Sequence, residues 1–173
     1  MNRNTKQSGD NPGENRRLTD TGQAVLFVLF ITVWIIDLVL HYTDFLTAYI
    51  TPYLRIPLAA VFFLIALYMA VKGMSAIYAM KAGNQEVIRT GVFGLVRHPV
   101  YLAEILLYLG FLMMHISLAA VAVWLIAIAF LHYISCREEK ALSSLFGEEY
   151  TRYRAEVPMW LPVPRTGQKN NNR

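Results

Sequence analysis

Arg97-His98-Pro99 stands at the mouth of an unbroken apolar run, and Glu104 lies inside that run. Tyr101, Glu104 and Tyr108 follow one another at i, i+3 and i+7, which is one face of a helix. Further along, Glu138 and Glu139 are adjacent, and His132, Cys136 and Glu139 share a face at i, i+4 and i+7. These residues supply guanidinium, imidazole, carboxylate and phenol groups. Such groups hold a polar cofactor and move protons at a reacting centre. A carboxylate at Glu104, one turn into a bilayer, needs a polar partner. Each residue also has a plainer use. Arg97 and Arg137 could be interfacial anchors, and His98 could hydrogen-bond a helix end. Glu138-Glu139 could form a solvated face, and His132 could make a helix–helix contact. Cys136 is the single cysteine, so no internal disulfide is possible, and it reads as a passive small residue.

Other chemistries are excluded by what is missing. No HxxxH, HExxH or CxxC spacing occurs, and histidines 41, 98, 115 and 132 alternate between the expected sides of a membrane. No metal site is expected. No phosphate loop or GxGxxG is present, so a soluble dinucleotide-binding domain is not expected either. Nothing points to a nucleic-acid partner.

The elements that must position these residues are membrane helices. The chain of 173 residues is 55% hydrophobic with a mean hydropathy of +0.37, and its apolar residues fall in blocks with the charges between them. Residues 1–23 and 165–173 are polar and read as disordered tails. No signal-peptide pattern is present at the start. The first apolar block covers 24–40. Asp37 lies near its end, where a helix-end or helix–helix polar contact is expected. The second runs from Ile56 to about Val71 and can continue as helix to Met80. The third runs from Val100 to Ile134, too long for one crossing of a ~30 Å hydrocarbon core. His115-Ile116-Ser117 interrupts it, so two helices are expected, at about 100–114 and 118–136. The expected fold is an all-α integral membrane protein of about four transmembrane helices, the last two a helical hairpin. Residues 24–164 form its single domain.

Lysine and arginine divide between the loops: four in 1–23, one in 41–55, four in 72–99, none in 115–117 and seven from Arg137 onward. The positive-inside rule then places both termini in the cytoplasm of a cell or inner membrane. The hairpin brings Arg97, His98 and Tyr101 close to Arg137, Glu138 and Glu139 at the cytoplasmic rim. Beyond the rim, 141–154 puts Leu142, Leu145, Phe146 and Tyr150 on one side and reads as a C-terminal amphipathic interfacial helix. VPMWLPVP (157–164) is extended, suits Trp160 to the headgroup zone, and could fold over the charged cluster as a lid.

GVF at 91–93, RHPVY at 97–101, REEKAL at 137–142, FGEEYTRY at 146–153 and VPMWLP at 157–162 occur in this order and spacing. The set resembles the isoprenylcysteine carboxyl methyltransferase family of integral membrane proteins, which is related to the phospholipid N-methyltransferases. The resemblance covers 85–164. It implies a methyltransferase with S-adenosylmethionine as cofactor, bound on the cytoplasmic side, and a lipophilic small molecule or lipid as acceptor. It implies cofactor contacts from Gln85, Glu86, Val87, Ile88, Phe93, His98, Pro99, Val100, Tyr101 and Glu138. Arg97, Glu104 and Glu139 are then the candidate catalytic residues, with His132 an alternative base. Methyl transfer itself asks mainly for proximity and alignment. Phe93 replaces the family's tyrosine, and Ile134 stands where the eukaryotic isoprenylcysteine enzymes carry an arginine.

Two other readings compete. One is an NADPH-dependent membrane reductase of the sterol-reductase type, which has a similar C-terminal membrane architecture. It would need cations for a 2′-phosphate, and Arg89 and Arg137 are the candidates. The other is a non-enzymatic membrane scaffold.

Overall fold

The structure, a computed structural model, describes residues 12–82 and 87–161. Among the described residues it is all helical: α1 (Pro12–Leu40), α2 (Pro52–Ala82), α3 (Pro99–Met114), α4 (Leu118–Phe146) and α5 (Glu148–Glu156). Short 3-10 turns at Phe45–Tyr49 and Gly91–Gly94 lie between them. α1, α2 and α4 each contain a segment long and apolar enough to cross a membrane. α3 has 16 residues, so its length is about 24 Å, short of a full crossing. The protein is an all-α integral membrane protein.

The α3–α4 hairpin forms where the sequence breaks. His115 ends α3, and the Ser117 side chain accepts the Ala120 N–H as the N-cap of α4 (3.1 Å). The turn is tied to α1. Asp37 Oδ1 accepts the Thr43 N–H and hydroxyl, both at 2.8 Å, and the Thr43 carbonyl accepts the Leu118 N–H. Asp37 therefore makes the helix-end contact expected of it. Arg55 donates to the carbonyls of Ile50 and Met114, closing α2 against the end of α3 at the same rim.

α3 packs along α2 most extensively, and α1 along α4. Phe30, Tyr108, Leu112, Ala120, Val123 and Ala127 form the core among α1, α3 and α4. The Phe30 and Tyr108 rings stack at 4.5 Å. Against α2, Gly110 gives the room: a Cβ there would stand 2.6 Å from Phe63 Cε1.

Three expectations change. α1 begins at Pro12, so the stretch 12–23 is helical rather than a loose tail. Thr19 is buried, and Gln23 donates from it to Glu104 on α3 at 2.6 Å, a tertiary tie that composition does not show. α4 runs to Phe146 instead of ending near 136. The single interfacial helix over 141–154 is two pieces, because Gly147 takes φ +55 and turns the chain between α4 and α5. Its apolar side packs inward: Leu142 and Phe146 meet Tyr150, Tyr153, Val157 and Val87, while Leu145 stays 65% exposed. Residues 1–11 and 162–173 of the expected tails and lid lie outside the described residues.

Candidate active site

The rim where α3 begins and α4 emerges is built on one buried ion pair. Pro99 opens α3 at its first turn, where a missing N–H costs nothing. This fixes Arg97 and His98 just ahead of the helix. Arg97 Nε donates to Glu139 Oε1 at 2.7 Å, and both side chains are nearly inaccessible, 9% and 3% exposed. Arg97 Nη1 donates to the carbonyls of Arg154 and Val157 (2.7 Å each), and its backbone N–H donates to the Pro158 carbonyl (3.0 Å). A buried pair is tolerated when its remaining hydrogen-bonding positions are filled in this way. Arg154 Nε approaches the other Glu139 oxygen at 3.3 Å. The segment after α5 is thereby strapped across the rim, as the expected lid would be.

His98 lies between the two glutamates. Its Nε2 is 3.3 Å from Glu139 Oε1, and its Nδ1 is 3.7 Å from Glu138 Oε2. Its ring is parallel to Tyr101 (5.6 Å, 7°) and stacks on Trp160 (6.3 Å, 30°). The Tyr101 hydroxyl donates to Glu138 Oε1 at 2.6 Å. Glu138, unlike Glu139, is open: its side chain is 44% exposed. The rim thus shows solvent an accessible carboxylate, a stacked aromatic set and the Arg154 guanidinium, 58% exposed.

Below the rim, between α3 and α4, is a cavity of about 350 Å³ lined by Leu102, Ile105, Ile128, His132, Trp160 and Leu161. Trp160 belongs to both places. It stacks on His98 at the polar rim and walls the apolar cavity. A second cleft of about 440 Å³ lies between α1 and α3, lined by Asp20, Gln23, Ala24, Phe27, Glu104 and Leu107. Glu104 faces this cleft, and accepts from Gln23 (2.6 Å) and from the Tyr108 hydroxyl (2.9 Å).

α5 supports the rim from outside the membrane. The Tyr153 hydroxyl donates to the Phe93 carbonyl at 2.8 Å. Burial pushes the Tyr150 hydroxyl up to about 12 and raises Tyr153 as well, so both stay neutral and pack the cluster over α5. Arg89 donates to the Glu149 carbonyl at 2.7 Å, pinning the loop before α3 to α5.

The structure brings Arg97, His98, Tyr101, Glu138 and Glu139 together as the hairpin requires. Phe93 joins through its carbonyl. Val87 is half-buried against the α5 tyrosines, and Ile88 follows it, also half-buried. Pro99 is buried and, with Val100, faces Gly73 of α2. Gln85 and Glu86 lie outside the described residues. Arg154 enters the rim without having been expected there. The signal available was its place at the end of YTRYR, on a segment that returns to the hairpin.

Comparison with known proteins gives the family. The family model for 3-oxo-5-alpha-steroid 4-dehydrogenase matches residues 15–161. The cobalt-zinc-cadmium resistance protein CzcN of Cupriavidus metallidurans is 33% identical over 88 residues, 50% of this chain and 40% of that protein. The chain therefore spans well under half of that relative's length. No solved structure matches.

The family match overturns the relationship to the isoprenylcysteine carboxyl methyltransferases, and with it methyl transfer and S-adenosylmethionine as cofactor. The physical reason lies in what the shared motifs do here. Arg97, Glu139, Tyr153 and Val157 spend their polar groups on one another and on the backbone. They specify a helical hairpin with a strapped rim, a frame that does not name the cofactor held on it. Covering 15–161, the match shows that this chain belongs to the 3-oxo-5-alpha-steroid 4-dehydrogenase family.

Proposed function

We propose that this protein is a membrane oxidoreductase that reduces a lipophilic α,β-unsaturated ketone with NADPH. The observation that carries the reading, beside the family, is the double position of Trp160. One residue separates a polar, solvent-facing rim from an apolar cavity inside the helix hairpin. A water-soluble donor and a membrane-dissolved acceptor can meet only at such a boundary. NADPH supplies a hydride to one carbon of the double bond, and a proton to the other completes the saturation.

The residues of the rim fit that cofactor. Glu138 is an open acceptor for ribose hydroxyls or a carboxamide N–H. Tyr101 orients it through a 2.6 Å bond. Arg154 and Arg152 are exposed on α5, and Arg89 lies beside them on the adjoining loop. With Arg137 they offer the phosphates more cations than Arg89 and Arg137 alone. Trp160, Tyr101 and His98 offer flat faces to a ring. Arg97 and Glu139 are positioning residues that hold the rim on the hairpin. The excess of lysine and arginine at this rim supports a cytoplasmic position for it and for both termini, on the side where NADPH is found.

The test uses the full chain purified in detergent. NADPH fluorescence should change saturably on binding, and Glu138→Ala should weaken that binding by about tenfold or more, the loss of one charged hydrogen bond. NADPH absorbance should fall when a 3-oxo-4-ene steroid is added as a probe ketone. A folded protein that leaves NADPH unbound, or that binds S-adenosylhomocysteine saturably in its place, would sink this reading.

A further inference from the structure

The end of the hairpin away from Arg97 holds two buried polar atoms that face each other without a bond. Asp37 Oδ2 and His115 Nε2 stand 3.6 Å apart, and their side chains are 5% and 6% exposed. Among the described residues neither atom has a hydrogen-bond partner. Buried polar atoms are nearly always paired, so such a gap asks what fills it. The elements around it are unevenly charged. α1 brings Asp37, and the 41–44 loop brings Asp44, whose Oδ2 is 3.9 Å from the same His115 nitrogen. His41 of that loop holds this Asp44 oxygen at 2.6 Å, and its ring lies edgewise to His115 at 6.2 Å. α2 brings Arg55, which directs its donors to the carbonyls of Ile50 and Met114. The cap of α4 brings the Ser117 hydroxyl and no charge. With both imidazoles neutral, two carboxylates stand against one guanidinium turned elsewhere, and one further proton balances the joint. Imidazole is the side chain that takes up a proton between pH 8 and 5. The two histidines differ in what that proton does. His41 is 65% exposed and already bonded to Asp44, so charging it strengthens an existing contact in water, where such pairs contribute little. A proton on His115 Nε2 gives Asp37 Oδ2 the donor it lacks and makes a charge-assisted bond in a buried place.

We propose that His115 is a pH-operated latch: once protonated, it closes on Asp37 and clamps the turn of the α3–α4 hairpin to the end of α1. Two backbone donors already cross this joint, the Thr43 N–H to Asp37 Oδ1 and the Leu118 N–H to the Thr43 carbonyl. They span the same elements as the latch, so they are held more tightly when it is closed. α3 and α4 wall the cavity, and the latch stiffens that frame from its far end. The proposal is independent of the oxidoreductase reading.

Amide hydrogen exchange of the full chain in detergent, followed by NMR between pH 8 and 5.5, tests it. Protection factors divide out the intrinsic pH dependence of exchange. At Thr43 and Leu118 they should rise about tenfold as the pH falls, the effect of one charge-assisted hydrogen bond on local opening. In His115→Gln they should not change with pH. Asp37→Asn keeps an acceptor for Thr43 but removes the charge, and it should lose most of the rise. His41→Gln should keep it. No rise in the wild type, a rise that survives His115→Gln, or a rise lost in His41→Gln would each overturn the latch. Should His115→Gln or Asp37→Asn fail to fold, the wild type and His41→Gln still decide. A rise present in both supports the latch, and one missing from either overturns it.

Discussion

Glu138 and Glu139 are neighbours in sequence and opposites in the structure. One helical step of about 100° turns the first toward solvent and the second under the strap. Glu139 is 2% exposed and faces Arg97, His98 and Arg154. Removing its carboxylate leaves the Arg97 guanidinium buried without its counter-charge, so Glu139→Ala should destabilise the protein by about 3–5 kcal/mol. Glu138→Ala, at a half-open site, should change stability by about 0.5 kcal/mol or less and act on NADPH affinity instead. Chemical denaturation in detergent, paired with NADPH titration, separates the two. Equal effects of both variants on stability would show that the rim is not divided as described. The spacing of the chain made the group Arg97, His98, Tyr101, Glu138 and Glu139 legible, because a hairpin must bring its two ends together. Which glutamate is covered was not legible. That depends on where Val157 and Pro158 return, which is set by the turn at Gly147 and by contacts of high sequence separation.

At the scale of elements, the break at His115-Ile116-Ser117 was readable because a thirty-five-residue apolar run cannot cross a bilayer once. The start of α1 and the end of α4 were not. Each is held by tertiary partners: Gln23 by Glu104, far along the chain, and Leu142 and Phe146 by the α5 tyrosines beyond the turn at Gly147. The α2–α3 contact makes a sharper case. Within a membrane, helices associate through close packing, and small residues let the backbones approach. Gly110 is such a residue, with Phe63 where a side chain would be. Gly110→Ala should therefore cost about 1–3 kcal/mol through overpacking. Phe63→Leu in the same chain should recover much of that loss, because the ring is what the methyl group meets. A detergent melting series over the two single variants and the double reads the coupling. Strict additivity would mean that α2 and α3 are not in register at this point.

Over the whole molecule, polar chemistry gathers at two rims that differ in charge. One carries the arginines of the hairpin, its preceding loop and α5. The far rim carries Asp37, Asp44, His41 and His115, with Arg55, turned inward to backbone carbonyls, its one permanent cation among the described residues. Positive-inside logic needs only this asymmetry, and on it we expect the arginine-rich rim in the cytoplasm. The placement has a functional stake. NADPH is cytoplasmic, so a reversed protein would hold its rim where no donor reaches it. Cys136 is the single cysteine, so Cys136→Ser gives a clean background for reporters. Tyr42 at the far rim is 78% exposed, and Thr151 is exposed on α5. In intact cells a membrane-impermeant maleimide should label Tyr42→Cys at once and Thr151→Cys only after permeabilisation. The opposite pattern would reverse the topology and remove cytoplasmic NADPH as the donor, even if the purified protein bound it. The expected pattern would leave the apolar cavity in the leaflet next to the cytoplasm, so that a lipophilic ketone enters from the bilayer and the hydride donor from water.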